Sequence, residues 1–284
     1  MTSSVPLPDA SSLDESAQFY RLVLTILHDA RVPFLVGGTY AFTCYTDIGR
    51  RTKDIDLFFR PADCDAALEA LAAKGFATQK PYPHWLAKAH FGEDFVDLIY
   101  RSGNGLSEVD DGWFARATPG KVLGVDVLLC PPEELLWTKA FIMERERYDG
   151  ADIAHLLLAC APRFDWKLLL YRFGEDWRVL LAHLVLFGYI FPSERGRIPR
   201  EVMEVLLGRL HRELDAPLPD ERICMGTLLS RGQYLVDVED RGFQDGRLRP
   251  DVQMTEEDIH HWTHAIPEAD RPTQQLVNGK RSFA

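Results

Sequence analysis

An apolar segment that carries two aspartates places the strongest constraint on this chain. The segment RRTKDIDLFF (residues 50–59) is typical of a strand, in which alternate side chains point to the same face. Asp54 and Asp56 would therefore stand side by side. Ile55 and Leu57 would point the other way, into a core. Two neighbouring carboxylates repel each other unless a cation lies between them, so the pair predicts a divalent metal site. The alternative is an edge strand whose carboxylates are solvated.

A third acidic residue lies in another apolar segment, FVDLIY (residues 95–100). Asp97 could act there as a hydrogen-bond acceptor inside the core. The alternative is that a neighbouring strand brings Asp97 beside Asp54 and Asp56. Three converging carboxylates would hold two Mg²⁺ (or Mn²⁺) ions, which bind oxygen ligands and share them with substrate phosphates.

A glycine pair separates the predicted strand PFLV (residues 33–36) from a predicted helix that begins at Thr39. Because Gly37 and Gly38 carry no side chains, their backbone N–H groups could approach an anion closely. The positive end of the following helix would add to this attraction. The alternative is an ordinary turn at the end of a strand.

A charged segment, WTKAFIMERERYDGADIAHLL (residues 137–157), continues a predicted helix that starts at PPEE. Lys139 and Arg147 would share one face of an unbroken helix, since they are about two turns apart. Asp149 and Asp152 follow at i, i+3 spacing. A cation here could neutralise charge on a triphosphate. The alternative is a solvated helix with ordinary ion pairs.

The composition indicates a globular chain that does not attract nucleic acid through its overall charge. The 284 residues carry a formal net charge of −11, whereas affinity for phosphate backbones depends on clustered Lys and Arg. The five cysteines are dispersed, which is typical of free thiols in a reducing compartment. The polar N-terminus is unlike a signal peptide, and the most apolar run, residues 180–191, is too short to span a bilayer. We expect a cytoplasmic protein without a membrane partner.

The order of predicted elements is typical of a mixed α/β (α+β) fold followed by a helical region. A helix over residues 16–32 precedes the strand and helix around the glycine pair, and an amphipathic helix follows the aspartate strand. Further strands are predicted in WLAKAHF (residues 85–91), DFVDLIY (94–100) and KVLGVDVLLC (121–130). Beyond the helix that starts at PPEE, helices are predicted at residues 151–160, 166–171, 176–187, 200–214, 221–238 and 256–265.

The segment GGTYAFTCYTDIGRRTKDIDLFF (residues 37–59) resembles the signature of the nucleotidyltransferase superfamily that includes DNA polymerase β. It is most similar to bacterial small-molecule nucleotidyltransferases and to abortive-infection toxin nucleotidyltransferases, and the resemblance covers roughly residues 34–155. It implies a mixed sheet flanked by helices in a nucleotidyltransferase domain at 16–130. A helical region at 131–240 would complete the site and pack on the domain, before a polar tail at 241–284 with one short helix.

The resemblance also implies roles for individual residues. Asp54, Asp56 and Asp97 would bind the metal, and Asp97 would act either as a ligand or as the general base on the incoming hydroxyl. Lys139 matches a lysine expected near the triphosphate. Either Asp149 or Asp152 matches a late acidic position. Together the residues implied in nucleotide binding are Gly37, Gly38, Thr39, Arg51, Thr52, Lys139, Asp149 and Asp152.

The implied reaction moves a nucleoside monophosphate from a nucleoside triphosphate to an acceptor hydroxyl and releases pyrophosphate. The acceptor would be a small molecule, which the acidic net charge favours, or tRNA in a toxin paired with an antitoxin protein. A third interpretation is a catalytically inactive nucleotide-binding or toxin–antitoxin interaction module on the same fold.

Overall fold

A computed structural model describes the backbone of residues 10–50, 52 and 54–266, and the side chains in these ranges from Ser16 onward. The chain divides into two compact units. The first comprises Met1–Arg101 and Glu108–Leu135, and the second comprises Ser102–Ser107 and Leu136–Ala284. The three-part division that the sequence suggests stays a prediction.

The first unit is built on one seven-stranded mixed sheet flanked by helices, which confirms the predicted fold class. The strand order is β3-β4-β5-β2-β1-β7-β6; β2 pairs with β5, and β1 with β7, in parallel, and the other neighbours are antiparallel. The elements are α1 (Ala10–Asp29), β1 (Leu35–Val36), α2 (Gly38–Thr46), β2 (Asp56–Phe58), α3 (Pro61–Ala72), β3 (Ala77–Tyr82), β4 (Leu86–Phe91), β5 (Asp94–Ile99), α4 (Asp111–Ala115), β6 (Thr118–Val122) and β7 (Val125–Leu129).

The aspartate segment has the alternation that its sequence predicts. Ile55, Leu57 and Phe59 are fully buried in the core of the first unit. Asp54 and Asp56 are half-buried instead. The regular strand begins only at Asp56, so Asp54 lies in the chain that leads into it. The burial of the apolar set fixes the register of β2, because a slip of one residue would place the carboxylates in the core.

The second unit is mainly helical, as predicted. The helix α5 (Pro132–Ala140) begins in the first unit and ends in the second. The predicted helices at 151–160, 166–171, 176–187, 200–214 and 256–265 are confirmed. The further elements are α6 (Gly150–Cys160), α7 (Trp166–Phe173), α8 (Trp177–Ile190), α9 (Arg200–Leu214), β8 (Ile223–Cys224), α10 (Leu235–Glu239), β9 (Gln244–Asp245) and α11 (Glu256–His264).

The helix predicted over residues 221–238 is wrong. Its first part forms β8, which pairs with β9 in parallel, and a 3₁₀ turn over Met225–Leu228 follows. Only the short helix α10 remains at its end. Gly226 lies so close to the ring of Tyr234 that an added Cβ would approach it to 2.4 Å. Glycine thus permits a close tertiary contact that the apolar periodicity alone does not reveal.

The helix predicted from PPEE through residue 148 is also wrong in its length, because α5 ends at Ala140. The chain then makes a tight reversal, in which Met143 bridges Tyr148 and the N–H of Glu144 donates to the carbonyl of Arg147 over 2.8 Å. Lys139 and Arg147 therefore do not share a helix face. The Glu144 carboxylate, which accepts the backbone N–H of Arg231 over 2.8 Å, ties this reversal to a later loop.

No helix within the described ranges is both long and apolar enough to cross a membrane.

Candidate functional site

Three aspartates from two segments that are remote in sequence converge at the sheet of the first unit. Asp56 on β2 lies directly opposite Asp97 on β5 in the parallel register. One carboxylate oxygen from each of Asp54, Asp56 and Asp97 lies within 4.8 Å of the other two. All three side chains are half-buried. Oxygen donors at this spacing are the ligand set that Mg²⁺ and Mn²⁺ prefer.

Gly38 leaves the space that the Asp56 carboxylate occupies. A Cβ built on Gly38 would lie 1.8 Å from Oδ2 of Asp56. Gly38 also has a φ of +51°, which side-chain-bearing residues rarely adopt. The neighbouring Gly37 donates its backbone N–H to the Asp56 carbonyl over 2.9 Å. Gly37 thus bonds the main chain of Asp56, and Gly38 leaves room for the side chain of Asp56.

The start of α2 lies beside these aspartates. Gly37 is the N-cap of this helix, and Thr39 lies in its first turn. The N–H groups of a first turn have no acceptor within the helix and point towards its positive end. Because the Gly37 N–H is used by Asp56, the N–H groups of the following residues are the ones oriented for an anion.

Thr52 fixes the side chain of Asp54. The Thr52 hydroxyl donates to Oδ1 of Asp54 over 2.5 Å and lies 3.0 Å from the Asp54 carbonyl oxygen. The loop between α2 and β2 therefore positions the first aspartate before the strand begins. Arg51, which the sequence assigns to nucleotide binding, lies outside the described residues.

Lys88 is a charged neighbour of the site, and its pairing with Asp97 was not expected from the sequence. Its Nζ donates to Oδ1 of Asp97 over 2.6 Å. Burial raises the pKa of Asp97 above its ordinary value, while Lys88 opposes that rise and the charge of Asp54 adds to it. The sequence predicted a strand in WLAKAHF (residues 85–91), but only the pairing of β4 with β5 shows that Asp97 lies opposite Lys88.

Two tyrosines near the aspartates were also not identified. Tyr20 on α1 and Tyr40 on α2 form an edge-to-face pair with ring centroids 6.2 Å apart. Burial raises the pKa of both phenols above their ordinary value, and the negative charge of Asp54 adds to the rise in each. Both phenols therefore carry hydroxyl protons at neutral pH and can donate hydrogen bonds.

The remaining predicted residues form a separate cluster within the second unit. Lys139 Nζ donates to Oδ2 of Asp149 over 2.8 Å and to Oδ2 of Asp152 over 2.9 Å. Arg147 donates twice to Asp149, at 3.0 Å each. Burial raises the pKa of Asp149, but the bonds from Arg147 and Lys139 outweigh it and hold the pKa below its ordinary value. Both candidates for the late acidic position thus bind Lys139.

Comparison with known proteins agrees with the motif. Residues 20–184 match a protein family described as "Uncharacterised nucleotidyltransferase". No curated protein matches the chain.

Several solved structures are similar to this chain at low sequence identity. The solution structure of the antibiotic-resistance factor ANT(2'')-Ia has 16% identity and a TM-score of 0.44, over 60% of this chain and 97% of that one. The lincomycin-bound lincosamide antibiotic adenylyltransferase LnuA has 15% identity and a TM-score of 0.36, over 50% and 95%. An antigenic nucleotidyltransferase-like protein from Paracoccidioides brasiliensis has 17% identity and a TM-score of 0.42, over 65% and 92%.

Proposed function

Because the chain belongs to the nucleotidyltransferase family that its residues 20–184 match, we propose that it moves a nucleoside monophosphate from a nucleoside triphosphate to an acceptor hydroxyl. The acceptor oxygen would attack the α-phosphorus, and the bond between the α-phosphorus and the bridging oxygen would break. Pyrophosphate would leave with the electron pair of that bond. The observation that carries this proposal is the convergence of Asp54, Asp56 and Asp97 within 4.8 Å.

The donor set fits a divalent cation. The three carboxylates supply only oxygen ligands, and Gly38 leaves room for the Asp56 carboxylate where any side chain would collide with it. Mg²⁺ (or Mn²⁺) bound there would lower the pKa of the acceptor hydroxyl and offset charge on the phosphates. Asp54 and Asp56 would hold the ion, with Thr52 keeping Asp54 in its orientation.

Asp97 would take the proton of the acceptor hydroxyl. Its Oδ1 accepts a hydrogen bond from Lys88. The register that pairs Asp97 with Asp56 places the Asp97 carboxylate on the same face of the sheet as the Asp56 carboxylate. A carboxylate in this position can accept a proton as the acceptor oxygen attacks phosphorus. The positive Lys88 helps to keep Asp97 ionised, which a base requires.

The start of α2 would receive the nucleotide phosphates, with N–H groups from Gly38 and Thr39 oriented for an anion. Thr52 would contribute from the loop before β2. A role for Arg51 stays a prediction from the sequence. The roles of Lys139, Asp149 and Asp152 in nucleotide binding stay predictions.

We favour a small-molecule acceptor over tRNA, because a chain with a net charge of −11 repels a polyanion. A labelled-nucleotide experiment distinguishes this acceptor from tRNA and from an inactive module, and the antitoxin partner stays a prediction.

The test incubates the purified protein with Mg²⁺ or Mn²⁺, a labelled nucleoside triphosphate and a fractionated cell extract. Asp56→Asn removes one charge with little change in shape, and Asp126→Asn does the same at an exposed position on β7. We expect label in the small-molecule fraction with the wild type and Asp126→Asn, and none with Asp56→Asn or with EDTA. Label in tRNA would identify the toxin-like activity. Nucleotide binding without transfer would favour the inactive module, and equal activity of Asp56→Asn would refute the metal role.

A further inference from the structure

We propose that Lys88 takes the place of a second cation at the three-aspartate site, so that the site binds one divalent ion instead of two. This inference rests on the proposed function, because it concerns the same carboxylates. It changes the expectation from the sequence, in which three aspartates alone would hold a pair of ions.

Lys88, Asp97 and Asp56 form one row across three neighbouring strands. Lys88 on β4 lies directly opposite Asp97 on β5, and Asp97 lies directly opposite Asp56 on β2. Directly opposite residues on paired strands point to the same face of a sheet. The ammonium group therefore approaches the aspartates from the side of β4. The Nζ of Lys88 lies 2.6 Å from Oδ1 of Asp97, the distance of a short charge-assisted hydrogen bond.

The ammonium is held in place by more than this one bond. Nζ also lies 4.1 Å from the centroid of the Phe95 ring, within the range of a cation–π interaction. Phe95 precedes Asp97 by two residues on β5 and so lies on the same face. The side chains of Lys88 and Asp97 are 23% and 15% exposed, so water screens the pair less than it screens a surface pair. Lys88 is a fixed positive charge at the site, not a mobile surface lysine.

The charge of the cluster then matches one divalent ion. Asp54, Asp56 and Asp97 carry three negative charges when ionised, and Lys88 supplies one positive charge, which leaves a formal charge of −2. An ion held by Asp54 and Asp56 neutralises this charge. A second ion would have to share Asp97 with the ammonium, and the two cations would repel each other at short range.

The test is a titration of the nucleotide-free protein with Mn²⁺ at neutral pH, in which electron paramagnetic resonance measures the free ion. We expect one bound ion in the wild type. Lys88→Met removes the charge and retains most of the side-chain length, so it should bind Mn²⁺ at least about tenfold more tightly or take up a second ion. Lys88→Arg keeps the charge and should resemble the wild type. Lys121→Met, at an exposed lysine on β6, is the matched control and should have no effect.

The stoichiometry of the wild type tests the inference without any variant, because two bound ions would overturn it. The inference would also be overturned if Lys88→Met bound the same number of ions with the same affinity as the wild type. Weaker Mn²⁺ binding in Lys88→Met would overturn it too, because it would indicate that Lys88 only supports the fold of the site. Each of these three results would leave the proposed function intact, provided that Asp54→Asn abolishes Mn²⁺ binding. If no variant binds Mn²⁺ and the wild type does not either, the metal site itself fails and the inference fails with it.

Discussion

Asp56 and Asp97 are direct neighbours on the parallel strands β2 and β5, although they belong to segments that are remote in sequence. Their register brings a third carboxylate to the pair that Asp54 and Asp56 already form. A carboxylate cluster of this kind costs free energy through mutual repulsion, and it persists when a ligand or a neighbouring charge offsets the repulsion. Here Lys88 supplies one such charge, and the proposed divalent ion supplies the rest.

Replacement of Gly38 by alanine should abolish metal binding. The new Cβ would lie 1.8 Å from Oδ2 of Asp56 and would force this carboxylate away from the other two. The φ of +51°, which alanine adopts at a conformational cost, should lower the free energy of unfolding by about 1–2 kcal/mol. A Mn²⁺ titration and thermal unfolding of the same sample measure both effects.

Gly49→Ala is the matched control, since a Cβ at Gly49 would meet nothing within 4 Å and its φ is not in the left-handed region. We expect normal Mn²⁺ binding and almost unchanged stability in this variant. Normal Mn²⁺ binding in Gly38→Ala would show that the position of the Asp56 carboxylate does not determine the site.

The sequence predicted the elements whose signals are local. The alternation around Asp54 and Asp56 predicted the buried set Ile55, Leu57 and Phe59, and helical periodicity predicted most helices of the second unit. The convergence of Asp97 was one of two open alternatives, because register between distant strands is a tertiary property. The Lys88–Asp97 pair was missed for the same reason.

Other errors have an equally physical cause. The segment KVLGVDVLLC was expected to be one strand, but it contains the turn of the β6–β7 hairpin. Leu123 and Gly124 both have positive φ, at 51° and 82°, as the two central residues of a type I′ hairpin turn require. Leucine is rare at such a position, so the usual Asn-Gly or Asp-Gly signal was absent. The chain after the early end of α5 likewise makes a contact with a remote loop, from the Glu144 carboxylate to the backbone N–H of Arg231, which no local pattern reveals.

Divalent metal should stabilise the folded protein. An ion that binds only the folded state raises the free energy of unfolding by about 2.7 kcal/mol at a hundredfold excess over its Kd. We therefore expect a higher Tm in excess Mg²⁺ or Mn²⁺ than in EDTA. Asp56→Asn should unfold at the same temperature in both conditions, while Asp126→Asn should behave as the wild type. An equal metal-dependent rise in Asp56→Asn would place the ion elsewhere.

Removal of the Lys139 charge should destabilise the second unit. Lys139, Asp149 and Asp152 are largely buried, and Lys139 bonds both carboxylates. Breaking a buried ion pair from one side leaves uncompensated charge and costs about 3–5 kcal/mol. Lys139→Met should lower the free energy of unfolding by an amount of this order, as measured by urea denaturation.

Two further variants test this interpretation of Lys139. Arg145→Met removes an exposed cation whose nearest carboxylate, on Glu146, is 3.9 Å away, so we expect almost no change in stability. The double variant Lys139→Met/Asp152→Asn also removes the charge of one of the two carboxylates that Lys139 bonds. It should therefore recover part of the lost free energy of unfolding. A Lys139→Met protein as stable as the wild type, but unable to transfer nucleotide, would instead assign Lys139 to the triphosphate.

The buried His183 should make stability depend on pH. Its Nε2 donates to the carbonyl of Ala140 over 2.9 Å, and burial lowers its pKa below the ordinary value of 6.5 despite that bond. The folded state therefore binds the proton more weakly than the unfolded chain does. The contribution of the neutral imidazole to the free energy of unfolding is complete above the pKa that His183 has in the unfolded chain. It is lost as the pH falls from that value through the lower pKa of the folded protein.

Thermal unfolding between about pH 8 and pH 5 measures this dependence, because the imidazole in the unfolded chain takes up its proton in this interval. We expect the Tm of the wild type to fall on acidification more steeply than that of His183→Gln, which has no group to protonate. His211→Gln, at an exposed position on α9, should retain the slope of the wild type. Equal slopes in the wild type and His183→Gln would mean that the acid sensitivity arises at other groups, since only the buried imidazole is removed by that substitution.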